Sequence, residues 1–587
     1  MKKTLLASSI TAVFILVALG PAAPARSAQK SPYPTTTGPL EPGLKELAES
    51  RISMVSAAHP FATQAGLEML RRGGNAIDAN VAATMVTAVL DVGLTQFGGG
   101  GQLTYYDAKT KKTVAINCDP VTFREDVMPF SVLDAGSGRT IPVPGSIAGF
   151  YYAVRKYGAL SWKEVIEPAV FYAENGFPIY GGAYIINSDR YAALTLRPNA
   201  RRLFAPNGFL PPMGSIFKQP ELAETLKRIA EQGSNYFYRG AFARQMVSAI
   251  RDIGGRPTLD DFSSYRVDES EPVRGTYKGY QIAGPSLPGT GTIAIIEGMN
   301  ILENVDLKGL GHYTQSADSL QWLIETVRVM FHDAYRYTGV PELDEPIGRA
   351  LRSKEYARAQ YELIRYKIEQ MKRRAAGGGS FAPDSPSDRA ATGDEGHTNH
   401  VSSVDKDGSV CSFTHTIYGP IYSAHGLWVG GIVFGSGEYD YPRLPGRRLL
   451  ASIAPIIVFK ADQPYFATGS SGGAPVTFYT LLNVLAWDKN LKEAQEAARM
   501  RSFYNAPPLL DLDNLKVSIE NRIDEKVVEE LKRRGYQFDW LGPYSQGGPT
   551  TRWLGGDQMA GIDPTSGMRY GATDPRGVGQ AAGQVEK

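Results

Sequence analysis

A chain of 587 residues with 43% hydrophobic and 21% charged side chains can bury a large core without cross-links, as one big domain or two ordinary ones. Its 62 basic and 60 acidic residues leave a formal charge of +2, which removes the electrostatic reason to invoke nucleic acid or an anionic membrane. The partner left is a small molecule.

Lys2 and Lys3 precede an apolar run from Leu5 to Leu19, followed by the small residues Ala22, Ala23 and Ala25. That order is the pattern of a secretory signal peptide over residues 1–25, with Ala23-Pro24-Ala25 as the cleavage site. The run is shorter than the ~20 residues a membrane span needs. The mature protein is expected to be periplasmic or secreted, with no membrane contact after signal removal. Cys118 and Cys411 either pair in that oxidising compartment or stay as two buried thiols, and the sequence leaves both open.

Residues 26–51, rich in Pro, Thr and Ser between Ser31 and Pro42, form a flexible lead, and order is expected from about Ile52. Ala62 to Leu90 reads as helix, broken at Gly73-Gly74, with Asn75 capping the second piece. Gly98 to Gly101 open a strand pair at Leu103–Tyr106 and Thr113–Ile116. These glycines lack GxGxxG spacing and no Gly-Lys-Ser/Thr follows, so they read as a close backbone approach, not a phosphate cradle. Leu320, Leu323, Val327, Met330 and Ala334 share one helical face and are expected in the core.

Between Arg373 and Glu395 apolar residues nearly vanish, which makes 374–397 a mobile linker. Beyond it, Val401–Val404 and Val410–Ile417 are strand-like runs joined through Asp407-Gly408. Thr398 sits where the linker meets the first strand. A threonine hydroxyl becomes a competent nucleophile when its residue is a chain N-terminus, because the α-amino group, with a pKa of roughly 7.7–8.0, can act as its base. That arrangement requires a precursor cut just before the threonine. His397 and His400 have no third ligand nearby, so no metal is expected, and the chemistry asks for no cofactor.

From Ile52 to Gly583 the chain carries a succession of motifs. They include His59-Pro60, Gly73-Gly74-Asn75-Ala76-Ile77-Asp78-Ala79, the four glycines, Val143-Pro144-Gly145, Phe237-Tyr238-Arg239-Gly240, Leu259-Asp260-Asp261-Phe262 and Tyr570-Gly571-Ala572-Thr573-Asp574-Pro575-Arg576. In these it resembles the γ-glutamyltranspeptidase family of N-terminal-nucleophile (Ntn) hydrolases. The resemblance implies an α+β fold, an αββα sandwich, built jointly by a large subunit (52–397) and a small subunit (398–587) that remain a heterodimer after self-cleavage. Thr398-Asn399-His400 matches the family's Thr-Thr-His, which makes Thr398 the nucleophile. Thr416 matches a second threonine that hydrogen-bonds the nucleophile's hydroxyl. Gly472 and Gly473 match the pair whose N–H groups form the oxyanion hole, where one donor is typically worth ~2.7–4 kcal/mol.

The substrate side departs from the family. Its arginine for the substrate α-carboxylate falls at Asp119, or at Cys118; an acid there is expected to repel that carboxylate. Arg124 lies five residues out of register. Tyr418 stands for an asparagine, Gly437 for a glutamine, and Ala451-Ser452 for a Ser-Ser pair, whereas Asp440, the acid for the substrate α-amino group, is kept. The lid loop is cut to Tyr441–Leu450. The resemblance implies hydrolysis or transfer of γ-glutamyl amides such as glutathione, by water or an amine. Asp119 motivates an alternative, an acylase for a different acyl group, and a third reading is an uncleaved binding protein.

Overall fold

Every residue of the strands Thr398–Val404 and Val410–Thr416 is buried, which requires a sheet covered on both faces. The computed structural model describes residues 31–36, 40–126, 134, 136–339, 341–377, 398–419, 425–436, 444–502, 516–542 and 554–585. In it, the two strands lie in the middle of a seven-stranded sheet. The strand order is Gln580–Ala582, Met54–Ala57, Thr398–Val404, Val410–Thr416, Gly100–Asp107, Lys112–Asn117 and Asp268–Ser270. The pairing is antiparallel throughout.

A second, eight-stranded sheet includes Ile456–Lys460, Gln463–Thr468, Gly556–Ile562 and Arg569–Thr573. The sheets share a dry layer in which Met54, Tyr106, Val404 and Val410 of the first pack with Ile457, Phe459, Ala467 and Ala560 of the second. Outside the first sheet, Val55, Leu103, Val401 and Phe413 pack against helices that include Pro60–Arg71 and Ala76–Leu90. Outside the second, Ile282, Ile456, Val458 and Met559 pack against Gly291–Leu302, Ala317–Tyr337 and Gly473–Leu485. The four layers are the αββα sandwich of the Ntn hydrolases, and Tyr33–Lys587 forms one unit.

The first helix ends at Arg71, and Gly73 (φ 91°) makes the left-handed turn. The side chain of Asn75 then accepts from the backbone N–H groups of Ile77 and Asp78 while Asp78 reaches back to Asn75, a closed capping box. All fifteen residues of Ala76–Leu90 are buried. From its strand-facing side, Asn80 donates to the carbonyls of Val401 (2.9 Å) and Cys411 (3.2 Å), so helix and central strands are joined by polar as well as apolar contact. The aliphatic stripe of Ala317–Tyr337 lies in the core as expected.

Order begins earlier than Ile52. Ala48–Ser50 pairs with Arg569–Gly571, Tyr33 is buried against Phe171 and Tyr172, and Lys45 donates to the Gly577 carbonyl at 2.8 Å. An aromatic anchor and a lone lysine hold this stretch despite its loop-like composition. The expected signal peptide (1–25) and most of the expected linker (378–397) lie outside the described residues, whereas 374–376 end the helix Lys354–Ala376. Cys118 and Cys411 are both buried and free. Cys118 bonds to the Gly101 carbonyl while Cys411 faces Tyr105, and four residues of strand between those positions amount to about 13 Å. A disulfide needs less than half that separation.

In the outer helical layer Glu297 is fully buried, and neither of its carboxylate oxygens receives a donor. Burial first, and the neighbouring Asp333 second, push its pKa well above the usual carboxylate value of 4.5. A carboxyl whose folded pKa is raised gives its full stability below the unfolded value and loses it as pH rises toward the folded one, by up to ~1.4 kcal/mol per pH unit. Glu297→Gln is expected to flatten the decline of thermal stability as pH rises above the usual carboxylate value of 4.5. Parallel melting curves of both proteins check this.

Candidate active site

The strand register sets Thr398 directly across from Thr416, and Thr416 across from Gly100 on the next strand. Directly opposed residues of an antiparallel pair hold their Cβ atoms about 4.5–5.5 Å apart, so the two threonines the sequence singles out are neighbours. Alternation puts Thr398, His400 and Ser402 on one face. Ser402 identifies that face as the one toward the second sheet, since its hydroxyl donates to the Gln558 carbonyl at 3.0 Å.

The four glycines let this row form. A Cβ on Gly99 would lie 2.0 Å from the Thr416 carbonyl oxygen, and one on Gly98 2.0 Å from that of Val433. The backbone can run this close to the Thr416 strand only without side chains. They are a close-approach turn, as expected.

On the facing sheet, the strand Gln463–Thr468 leads through Gly469 into Gly472 (φ 150°) and Gly473 (φ 72°), where the helix Gly473–Leu485 begins. A Cβ on Gly469 would meet the His400 ring at 2.4 Å, so this turn lies against the Thr398 strand. The first N–H groups of a helix have no intrahelical acceptor and sit at the positive end of its dipole. One is used here, with Ala474 N–H donating to the Ser452 carbonyl at 3.1 Å.

Behind the turn lies a buried ionic lattice. The Thr468 hydroxyl donates to Asp557 at 2.8 Å, Asp574 accepts from Asp557 N–H at 3.2 Å, and Arg499 pairs with Asp574 at 2.5 Å. Burial pushes Asp557 up to about 6 against the pull of Arg499. Such charges are tolerated in the interior only because each is paired.

Both histidines near the threonines are locked. His400 contacts Thr414 Oγ1 (2.8 Å) and Ser402 Oγ (3.0 Å), while His415 contacts Ser146 Oγ (2.8 Å) and Thr95 Oγ1 (2.9 Å). Burial lowers each to about 3, so they are neutral. His397 lies outside the described residues.

Asp119 differs from the expectation of an acid presented to substrate. It is fully buried, with Gln102 Nε2 donating to one carboxylate oxygen at 2.5 Å and Tyr418 Oη to the other. Burial raises its pKa to about 6 in spite of those two bonds. Tyr418 is held in the left-handed region (φ 59°), its N–H donates to Thr416 Oγ1 at 3.3 Å, and its ring packs with Leu449, Ala451 and Ile453. A Cβ on Gly473 would touch Ser452 Oγ at 3.4 Å. Tyr418, Ala451, Ser452 and Asp119 are thus brought together beside the threonines. Arg124 is not among them: it pairs with Asp260 and donates to Ser264 at the exposed surface. Asp440 and Gly437 lie outside the described residues.

The sequence reading missed Arg448, whose Nη1 donates to the Asp119 carbonyl (2.5 Å) and to Tyr265 Oη (2.9 Å), and whose Nε pairs with Asp268 (2.7 Å). It pins the Asp119 backbone from behind. Its signal, Arg447-Arg448 within the shortened loop, is only a charge pair. The Asn399–Asp91 contact (2.8 Å) had no signal of its own.

Tyr418→Phe removes the donor to one oxygen of a buried carboxylate and should destabilise the fold by ~1–3 kcal/mol. Urea unfolding against the parent chain measures it.

The Gamma-glutamyltranspeptidase family matches residues 62–584. The glutathione hydrolase proenzyme of Bacillus subtilis (strain 168) is 29% identical over 571 residues, covering 92% of each chain. The Acylase ACY 1 proenzyme of Pseudomonas sp. (strain SE83) is 28% identical, over 84% of this chain and 88% of its own. The cephalosporin acylase structure from Bacillus halodurans superposes with a TM-score of 0.76 at 22% identity, over 96% of this chain and all of that one, which establishes the shared fold.

Proposed function

The chain belongs to the Gamma-glutamyltranspeptidase family, and from that premise we propose that it is a self-processing, secreted amide hydrolase or acyltransferase whose nucleophile is Thr398. The observation that carries this reading is the register that faces Thr398 with Thr416, under the turn where Gly472-Gly473 opens a helix. Relatives named as proenzymes support the processing step.

In self-cleavage, Thr398 Oγ attacks the carbonyl carbon of residue 397 as its proton passes to the Thr398 nitrogen. The C–N bond breaks and an ester forms. Water then hydrolyses the ester, leaving a carboxylate on residue 397 and a free α-amino group on Thr398. In turnover that amino group takes the hydroxyl proton as Oγ attacks the substrate amide, and returns it to the leaving amine. Thr416 supports the hydroxyl, and the N–H groups of Gly472 and Gly473 receive the oxyanion. Water or an amine releases the acyl group. Thr398→Ala is expected to leave one uncut chain on denaturing electrophoresis where the parent gives two fragments; a variant still split before residue 398 would overturn the mechanism, and an uncut parent would favour a binding protein.

For the acyl group, γ-glutamyl amides such as glutathione are the starting expectation, with Asp440 and Ser452 as contacts. A specific observation favours a second reading, an acyl group without an α-carboxylate. Asp119 holds the place of the expected cation, Arg124 is committed to Asp260, and the apolar cluster of Tyr418, Leu449, Ala451 and Ile453 lines the same region. Among the described residues Arg448 is spent on the Asp119 carbonyl, Tyr265 and Asp268, so a carboxylate there would be desolvated beside a carboxyl group. On this reading γ-glutamyl-p-nitroanilide is turned over at least about tenfold less efficiently than a p-nitroanilide whose acyl group lacks the carboxylate, a difference of ~1.4 kcal/mol or more in transition-state binding. Robust γ-glutamyl turnover at neutral pH would restore the glutathione-like assignment.

A further inference from the structure

The strand that begins at Thr398 is held unevenly at its start. Along one edge it pairs with Val410–Thr416 over its whole length, but along the other it pairs with Met54–Ala57 only from Val401 onward. Among the described residues, Thr398, Asn399 and His400 therefore have a strand neighbour on one side alone. On the helix-facing side, opposite to Thr398, the amide of Asn399 donates to Asp91 Oδ2 at 2.8 Å, and both residues are buried.

Asp91 begins a buried turn that touches both threonines' flanks. It closes the helix Ala76–Leu90, its N–H bonding to the Thr87 carbonyl at 2.8 Å, and its own carbonyl accepts from Leu94 (2.9 Å) and Thr95 (3.1 Å). From there the Leu94 carbonyl accepts from Ile417 N–H at 3.4 Å, Thr95 Oγ1 meets His415 Nδ1 at 2.9 Å, and Gly99 presses on the Thr416 carbonyl. One rigid turn thus holds the residue after Thr398 and the residues on either side of Thr416. Every residue from Asp91 to Gly99 is buried.

We propose that Asp91 and Asn399 are a positioning pair that fixes the Thr398 hydroxyl against Thr416 and Gly472-Gly473, both for self-cleavage and for turnover. The pair touches no reacting atom. It acts by denying the half-paired strand end the freedom to swing, and a displacement of about 1 Å at a nucleophile can cost about 100-fold in rate. The inference rests on Thr398 being the nucleophile.

Asn399→Asp places a second carboxylate against Asp91 and is expected to slow self-cleavage and lower kcat at least about tenfold, with KM changed less than about twofold. Combining Asp91→Asn with Asn399→Asp exchanges donor and acceptor and should restore most of both rates. Asp91→Asn alone is the milder variant should the first not fold. Rates are taken per folded molecule, and melting temperatures are recorded alongside. Wild-type cleavage and kcat in the single variants would overturn the proposal. So would losses that follow melting temperature alone, or a double variant that regains melting temperature without regaining kcat. Thr398→Ala serves as the control: if it is still cleaved, the nucleophile assignment itself has failed, whereas if it is uncut while Asn399→Asp cuts normally, only the positioning pair has.

Discussion

The antiparallel pairing of Thr398–Val404 with Val410–Thr416 is the constraint on which the site depends. Side chains alternate along a strand, so a slip of one residue would turn Thr398 from the second sheet to the helices and bring Asn399 into its place. Burial on both faces makes such a slip prohibitive. On one face it would drive His400 and Ser402 out of bonds with Thr414 and the Gln558 carbonyl, and on the other it would pull Asn399 from Asp91. The turn at Asp405 adds a stop, because its carboxylate accepts from Asp407 and Ser409 at 2.9 Å each and from Ala76 N–H at 3.1 Å.

A cut before Thr398 would not divide this structure into domains. In the seven-stranded sheet the strands 398–404 and 410–416 stand between Met54–Ala57 and Gly100–Asp107, and Gln580–Ala582 closes the edge beyond Met54–Ala57. Strands from before and after residue 398 are interleaved, and in the eight-stranded sheet too Tyr280–Gly284, from before it, pairs with Ile456–Lys460, from after it. Separating the pieces would break three ladders in the first sheet and expose the dry layer between the sheets. One hydrophobic core is shared by both segments, so peptide cleavage and dissociation are energetically unrelated events.

The local elements were legible wherever short-range chemistry decides them. Asn75 and Asp78 form the capping box that ends the Gly73-Gly74 break, and Asp407-Gly408 makes the hairpin turn with Gly408 at φ 87°. The catalytic candidates were reachable through motif resemblance, which fixes chain position, and the register then brings Thr398 and Thr416 together. What the sequence could not reveal were contacts across hundreds of residues. Asp119 read as an acid set to repel a substrate carboxylate, because nothing near it in the chain shows that Gln102 and Tyr418 close on its oxygens. Arg448 carried no local signal of the bonds it makes to the Asp119 carbonyl and to Tyr265. Residues 31–50 looked like a tail since their anchors, Tyr33 and Lys45, find partners only in the folded chain.

The polar surroundings of Thr398 also bear on how its hydroxyl loses a proton. His400 shares its face of the strand, yet both ring nitrogens are occupied, and burial keeps the ring neutral. His415 points to the helical side and is likewise engaged at both nitrogens. The acids behind the glycine turn are bound to Thr468 and Arg499, and Asp119 is closed by its two donors. Among these described residues no side chain combines proximity to Thr398 with an open basic atom. Under the proposed cleavage such a group would be created, an α-amino nitrogen two bonds from the Thr398 Cβ that carries the hydroxyl, with an ordinary pKa of roughly 7.7–8.0. The described residues around the threonine thus supply donors, acceptors and a helix terminus but no open side-chain base, which is the environment in which the proposed cleavage would act as the switch that turns a buried strand end into a nucleophile.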